Sequence, residues 1–191
     1  MRHLTLLAVA SLWCLAVAPA IMAQTDLGLK GAGLEIGLVS PQDVDATFGF
    51  GVFADLGSIA PQFMLEAYLD YWSKSEDIVG GETMVRDWAL GAKGKYVFPA
   101  ENTRVRPYVG AGLGLHLVKA KVSIPDTDFG GIIVPGMTVE DSMTKLGIDL
   151  GGGLTTPLSD RADFVGEFWY GIVSDLNQLS LKVGVLYRFG M

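Results

Sequence analysis

The chemistry-bearing residues of this 191-residue chain are charges that recur at alternate positions within otherwise apolar stretches. Glu35, Asp55, Glu66, Asp70, Asp149, Asp163 and Glu167 are the acidic members, and Lys93, Lys95, Arg106, Lys145, Lys182 and Arg188 the basic ones. Within its segment each shares its parity mainly with glycines and small polar residues and opposes an aliphatic or aromatic run. In an extended strand all of them therefore project to one face. Such a face can line an ion pathway, or its two signs can pair and fill a narrow space. Pairing is favoured, because charges removed from water need partners.

Other candidates are weaker. His116 is the only histidine after His3, and a lone imidazole makes a poor zinc site, since zinc takes several nitrogen or sulfur ligands. The run Asp126-Thr127-Asp128-Phe129-Gly130-Gly131 spaces carboxylates beside glycines, as calcium loops do, but an ordinary acidic surface loop accounts for it better. Gly130 to Gly136 (GGIIVPG) is an exposed apolar segment, open to contact with a partner or to folding back over the protein. Gly151-Gly152-Gly153 lacks the following Lys-Ser/Thr and helix of a phosphate loop, and close strand approach explains it better.

A face of this kind needs long strands to hold it. Half of the residues are hydrophobic, 18% are charged and 25 are glycine. A disordered chain would be more polar, and a helical bundle would avoid glycine. The formal charge is −7, from 14 basic and 21 acidic residues, and no basic run supports nucleic-acid binding.

Residues 1–23 (MRHLTLLAVASLWCLAVAPAIMA) have the layout of a secretory signal: Arg2, an apolar stretch from Leu4 to Val17, then Pro19 and small residues. Cleavage is expected after Ala23, with Ala20 the second choice, leaving one domain over 24–191. Cys14, the single cysteine, follows Leu12 and Trp13 rather than the small residues of a lipoprotein site. The mature chain then has no disulfide or thiolate metal site. Loss of Arg2 leaves 13 basic and 21 acidic residues, a charge of −8.

The remainder alternates with period two. Eight segments do so: 33–38, 47–56, 63–71, 87–98, 106–117, 145–154, 162–172 and 179–189. Lys30 falls on the apolar parity of the first, so a bulge or a late strand start is expected there. Most segments run roughly 10–13 residues, against ~5–6 in soluble proteins, and ~10 tilted residues span the ~25 Å apolar band of an outer-membrane barrel. The continuously apolar parity cannot fit inside eight long strands, whereas glycine and paired charge can. The expected fold is all-β: an eight-stranded antiparallel up-and-down transmembrane barrel, monomeric, with its apolar parity toward lipid and its charges in the lumen.

The expected connections divide by length. Links 40–45, 73–85, 119–142 and 174–178 fall at one end, and 57–62, 99–105 and 156–161 at the other. The first set carries Asp43, Asp45, Glu76, Asp77, Glu82, Asp126, Asp128, Glu140, Asp141 and Asp175 against Lys74, Lys119 and Lys121, as suits outward loops. Tyr71, Trp88, Phe98, Tyr170, Tyr187 and Phe189 are expected in interfacial girdles.

RPYVGAGLGLHL (Arg106 to Leu117) and LSLKVGVLYRF (Leu179 to Phe189) resemble the small outer-membrane β-barrel family, of the OmpA-transmembrane-domain and opacity-protein type. The resemblance implies a non-enzymatic outer-membrane protein of a Gram-negative-type bacterium, with a structural or surface-interaction role. It implies outer-membrane lipids and lipopolysaccharide as surroundings, and no cofactor. It also implies that Val183, Val185, Tyr187 and Phe189 form the signal read by the barrel-assembly machinery, although Gly190 and Met191 follow the aromatic. Many OmpA-type proteins carry a peptidoglycan-binding domain after the barrel. This sequence stops at strand eight, so that tethering is not expected. A lipid A deacylase barrel would need His-x-Ser, but Leu117 and Val118 follow His116. A narrow channel for ions or small apolar molecules, a lipid-modifying enzyme and a soluble lipocalin-like binder are the alternatives.

Overall fold

The computed structural model describes residues 25–99, 104–128, 133–174 and 176–190. The expected leader with Cys14, and also Glu101, Asp175 and 129–132, lie outside the described residues. The strands are β1 (Asp26–Pro41), β2 (Thr47–Ala60), β3 (Phe63–Ile78), β4 (Gly81–Val97), β5 (Arg106–Ile124), β6 (Thr127–Asp128), β7 (Ile133–Val134), β8 (Met137–Ser159), β9 (Ala162–Val173) and β10 (Gln178–Arg188). Eight of them close into an antiparallel ring, and β6 and β7 form a separate small hairpin between β5 and β8. Long strands pair with their chain neighbours, and the seam joins β1 to β10 from Gly31–Arg188 to Pro41–Gln178.

The two faces invert the pattern of a soluble protein. Leu34, Ile36, Leu113, Leu115, Leu181 and Val183 are exposed on the outside, whereas Glu35, Lys93, Lys95, Glu167 and Lys182 are buried. Glycines on the inner parity make room for large rings. Trp169 pairs in register with Gly151, where a Cβ would come within 2.8 Å of its indole; at Gly110, on the strand beyond, a Cβ would stand 3.0 Å from the same ring. Tyr68 lies likewise against Gly91 and Gly114, and Tyr108 against Gly153. The absent side chains of these glycines are what allow the wide rings to project inward.

At one end the strands run well past their expected limits. β3 and β4 stay paired from Ser73–Arg86 to Ile78–Gly81, so the expected loop 73–85 reduces to a turn at Val79 and Gly80, the latter at φ 80°. β5 and β8 likewise pair from Lys119–Ser142 to Ile124–Met137, shortening the expected loop 119–142. Apolar alternation reports where lipid covers a strand. The backbone ladder needs only N–H and C=O groups, and it continues where the side chains turn polar. At the other end, β1 shifts register between Leu27 and Gly31, the stretch in which Lys30 breaks the alternation.

Aromatic residues gather at two levels. Phe50, Tyr71 and Trp88 form one row, with ring centroids 5.2 and 4.5 Å apart. Phe63, Tyr96 and Phe98 form another, nearer the chain termini, with centroids 5.1 Å apart. Tyr187 and Phe189 lie 6.0 Å apart.

Candidate functional site

The inward parity of all eight long strands converges on one charged interior. Nearest the termini, Asp163 on β9 accepts from Arg106 on β5 at 3.1 Å and from Arg188 on β10. The next level centres on Glu167, also on β9. Its carboxylate takes Lys93 at 3.3 Å, Lys95 at 3.1 Å and the Tyr108 hydroxyl at 2.6 Å. Lys95 also reaches Glu66 on β3 at 2.5 Å. The two ammonium groups lie over rings as well: Lys93 is 4.4 Å from the Tyr68 centroid and 4.6 Å from that of Trp169, and Lys95 is 4.8 Å from that of Tyr108. Cation–π contacts of this kind gain strength when desolvated.

Further along, Lys182 on β10 bridges Glu35 at 2.7 Å and Asp70 at 2.6 Å. Tyr68 donates to Asp149 at 2.6 Å. His116 Nδ1 and Asp87 Oδ2 are 2.7 Å apart, with both side chains 1% exposed. Beyond that pair comes an apolar layer of Val39, Trp72, Val118, Val173 and Leu176, in which Trp72 donates its indole N–H to Gln178 at 2.9 Å.

Ten of the thirteen residues singled out by parity therefore form ion pairs with one another: Glu35, Glu66, Asp70, Lys93, Lys95, Arg106, Asp163, Glu167, Lys182 and Arg188. The other three make the following described contacts. Asp149 serves Tyr68. Asp55 accepts from the Gly57 backbone N–H at 2.8 Å, beside a cavity of about 160 Å³ at the terminal end. Lys145 donates to the Ser174 carbonyl at 2.6 Å, at the opposite rim. Several participants were not singled out as site residues. Tyr68, Tyr108 and Asp87 share the inward parity, which was the available signal, but their partners depend on distances across the lumen.

Of the loop candidates, Asp126 accepts from the Gly136 N–H at 2.5 Å and so closes its own loop. No cluster of metal-ligating side chains occurs among the described residues. Gly151, Gly152 and Gly153 lie mid-strand on β8, pressed against β5 and β9. Val183, Val185 and Tyr187 face outward on β10. Phe189 follows them, its N–H bonded to the Lys30 carbonyl at 2.7 Å, which extends the seam past the last strand.

A closed ring with an apolar exterior, aromatic rows and a charged interior defines a membrane barrel. The outer membrane protein beta-barrel domain family matches residues 5–189, and the chain belongs to it. Among solved structures the chain is similar to Neisserial surface protein A (NspA), at 16% identity over 86% of this chain and 100% of that one, with a TM-score of 0.64. It is similar to a major outer membrane protein from Thermus thermophilus, at 14% identity over 85% and 100%, TM-score 0.61. It is also similar to Ail, the attachment invasion locus protein of Yersinia pestis, at 17% identity over 85% and 100%, TM-score 0.52. These likenesses are of fold. No curated protein sequence matches the chain.

Proposed function

We propose that this protein is a monomeric, non-enzymatic outer-membrane barrel with a structural or surface-contact role, its lumen closed by its own side chains. The observation that carries this reading is the stack of ion pairs across the lumen, from Arg106–Asp163–Arg188 to Glu35–Lys182–Asp70, followed by the apolar layer around Trp72. Eight strands leave an interior that side chains can fill, and the described rings and salt bridges occupy it at successive levels. The end with the short turns and the chain termini faces the periplasm in this reading, and the hairpins over 73–86 and 119–142 face outward as contact regions. Outer-membrane lipids and lipopolysaccharide surround the barrel, and the assembly machinery reads Val183, Val185, Tyr187 and Phe189.

Catalysis is disfavoured by the surroundings of His116, which is buried against Asp87 and followed by Leu117 and Val118 rather than a nucleophile. Purified protein incubated with lipopolysaccharide should release no acyl chains, and their release would overturn this part of the reading. The closed lumen is tested by recording in planar bilayers, where no reproducible unit steps are expected. Stable steps of fixed size would favour the second reading, a narrow channel. That alternative draws on buried polar atoms without a protein partner among the described residues, including Glu66 Oε1, Asp70 Oδ1 and Asp163 Oδ1.

A further inference from the structure

The outward face changes character along one cross-strand row. Tyr71, Trp88 and Leu117 are direct partners on β3, β4 and β5 and form the last apolar row of that sector. Two residues further from the termini, Ser73, Arg86, Lys119 and Ser142 are partners across β3, β4, β5 and β8. The row after that is Ser75, Met84, Lys121 and Glu140. Period-two alternation keeps all three rows on the outside. At ~3.3 Å per residue and ~40° of tilt, the two polar rows stand roughly 5 and 10 Å above the last apolar one. That is the level at which acyl chains give way to head groups.

These rows concentrate positive charge in a chain of net −7. Met84, Arg86, Lys119, Lys121 and Glu140 line a shallow cavity of about 200 Å³. Lys119 lies 3.5 Å from Glu140, while Arg86 and Lys121 have no carboxylate partner among the described residues. The other lysines at this end belong to the inner parity: Lys74 faces Asp45 at 4.0 Å, and Lys145 bonds the Ser174 carbonyl. One row further out, Asp77 pairs in register with Glu82, so acidic side chains bound the cationic rows on the solvent side. A guanidinium, two ammonium groups and the neighbouring Ser73 and Ser142 hydroxyls suit tetrahedral oxyanions, for which arginine offers a two-pronged donor.

We propose that this patch binds the phosphate groups of an outer-leaflet glycolipid, with Arg86 and Lys121 as the free cations and Lys119 shared with Glu140. The lipid source follows from position. The cations stand directly above Trp88, Leu115 and Leu117, which face the acyl chains of the same molecule, rather than at the hairpin tips where a soluble polyanion would meet them. The proposal goes beyond the closed barrel and rests on the long hairpins facing outward.

The test titrates the protein, refolded into zwitterionic micelles, with lipopolysaccharide and with the same lipopolysaccharide after removal of its phosphates, followed by calorimetry. Saturable binding is expected for the phosphorylated form. It should weaken roughly tenfold or more in the double variant Arg86→Gln with Lys121→Gln, and stay unchanged in Lys30→Gln, a cation at the opposite end. The single variant Lys121→Glu, at an exposed position, should weaken it too and covers a folding failure of the double variant. Equal binding by the double variant, or equal binding of dephosphorylated lipid, overturns the proposal. So does displacement by equimolar dextran sulfate, which would mark a general polyanion surface. Failure of the closed-lumen reading would appear as conductance steps and leave the titration unaltered.

Discussion

Glu167 is the residue on which the interior turns. Its carboxylate holds Lys93, Lys95 and Tyr108 together, and Lys93 forms its salt bridge with Glu167 alone among the described residues. Glu167→Gln leaves a buried ammonium without its counter-charge, a loss of about 3–5 kcal/mol for a broken buried pair. The expected outcome is a markedly lower urea midpoint in detergent, followed by gel mobility. Asp55→Asn, at a half-buried carboxylate whose described bond is to a turn amide, should lower it by less than about 1 kcal/mol. Parity alone marked Glu167, Lys93 and Lys95 as neighbours of one interior. It could not say that Tyr68 would meet Asp149, 81 positions away, or that Asp87 would hold His116, because sequence alternation gives a side chain's face and not what stands opposite across the lumen.

At the scale of the strands, the glycines under the aromatic rings carry a sharp expectation. A Cβ at Gly151 would collide with the Phe168 carbonyl and stand 2.9 Å from the Trp169 Cα, neither of which can swing away. Gly151→Ala should cost about 1–3 kcal/mol as overpacking. Gly166→Ala, whose Cβ would meet ordinary contacts at 3.4 Å and beyond, should be nearly silent. Parallel urea titrations of the two variants check the contrast. The extended β3–β4 hairpin gives a second expectation. Val79 is fully exposed at its tip, and turns of this kind tolerate insertion. A short polar epitope placed between Val79 and Gly80 should leave the fold intact and be stained on whole cells; staining only after permeabilisation would reverse the orientation. The strand positions were legible in the sequence wherever lipid imposed alternation, as along Leu179 to Phe189. They were not legible in 73–78, where Ser, Lys, Glu and Asp occupy both faces, nor in 119–124, where the outward residues Lys119, Lys121 and Ser123 turn polar and only backbone pairing continues.

For the whole molecule, the inversion of apolar and polar faces was the most legible property, because it follows from composition on the two parities and not from any single contact. It carries a direct expectation. An unboiled sample from isolated outer membranes should migrate differently from a boiled one on a denaturing gel, since so extensive a ring of hydrogen bonds resists detergent. Recovery as a soluble periplasmic protein with no such shift would contradict the membrane placement.

The seam has a consequence in time. β1 finds its second partner in β10, almost the full length of the described chain away, so the hydrogen-bonding edge of the first strand stays open until the last strand arrives. Closing so long a loop is entropically the slowest kind of pairing, and an open edge in the meantime is an invitation to aggregation. The ring therefore cannot be finished strand by strand from its N-terminal end. Its completion waits for the last strand and comes as a single event.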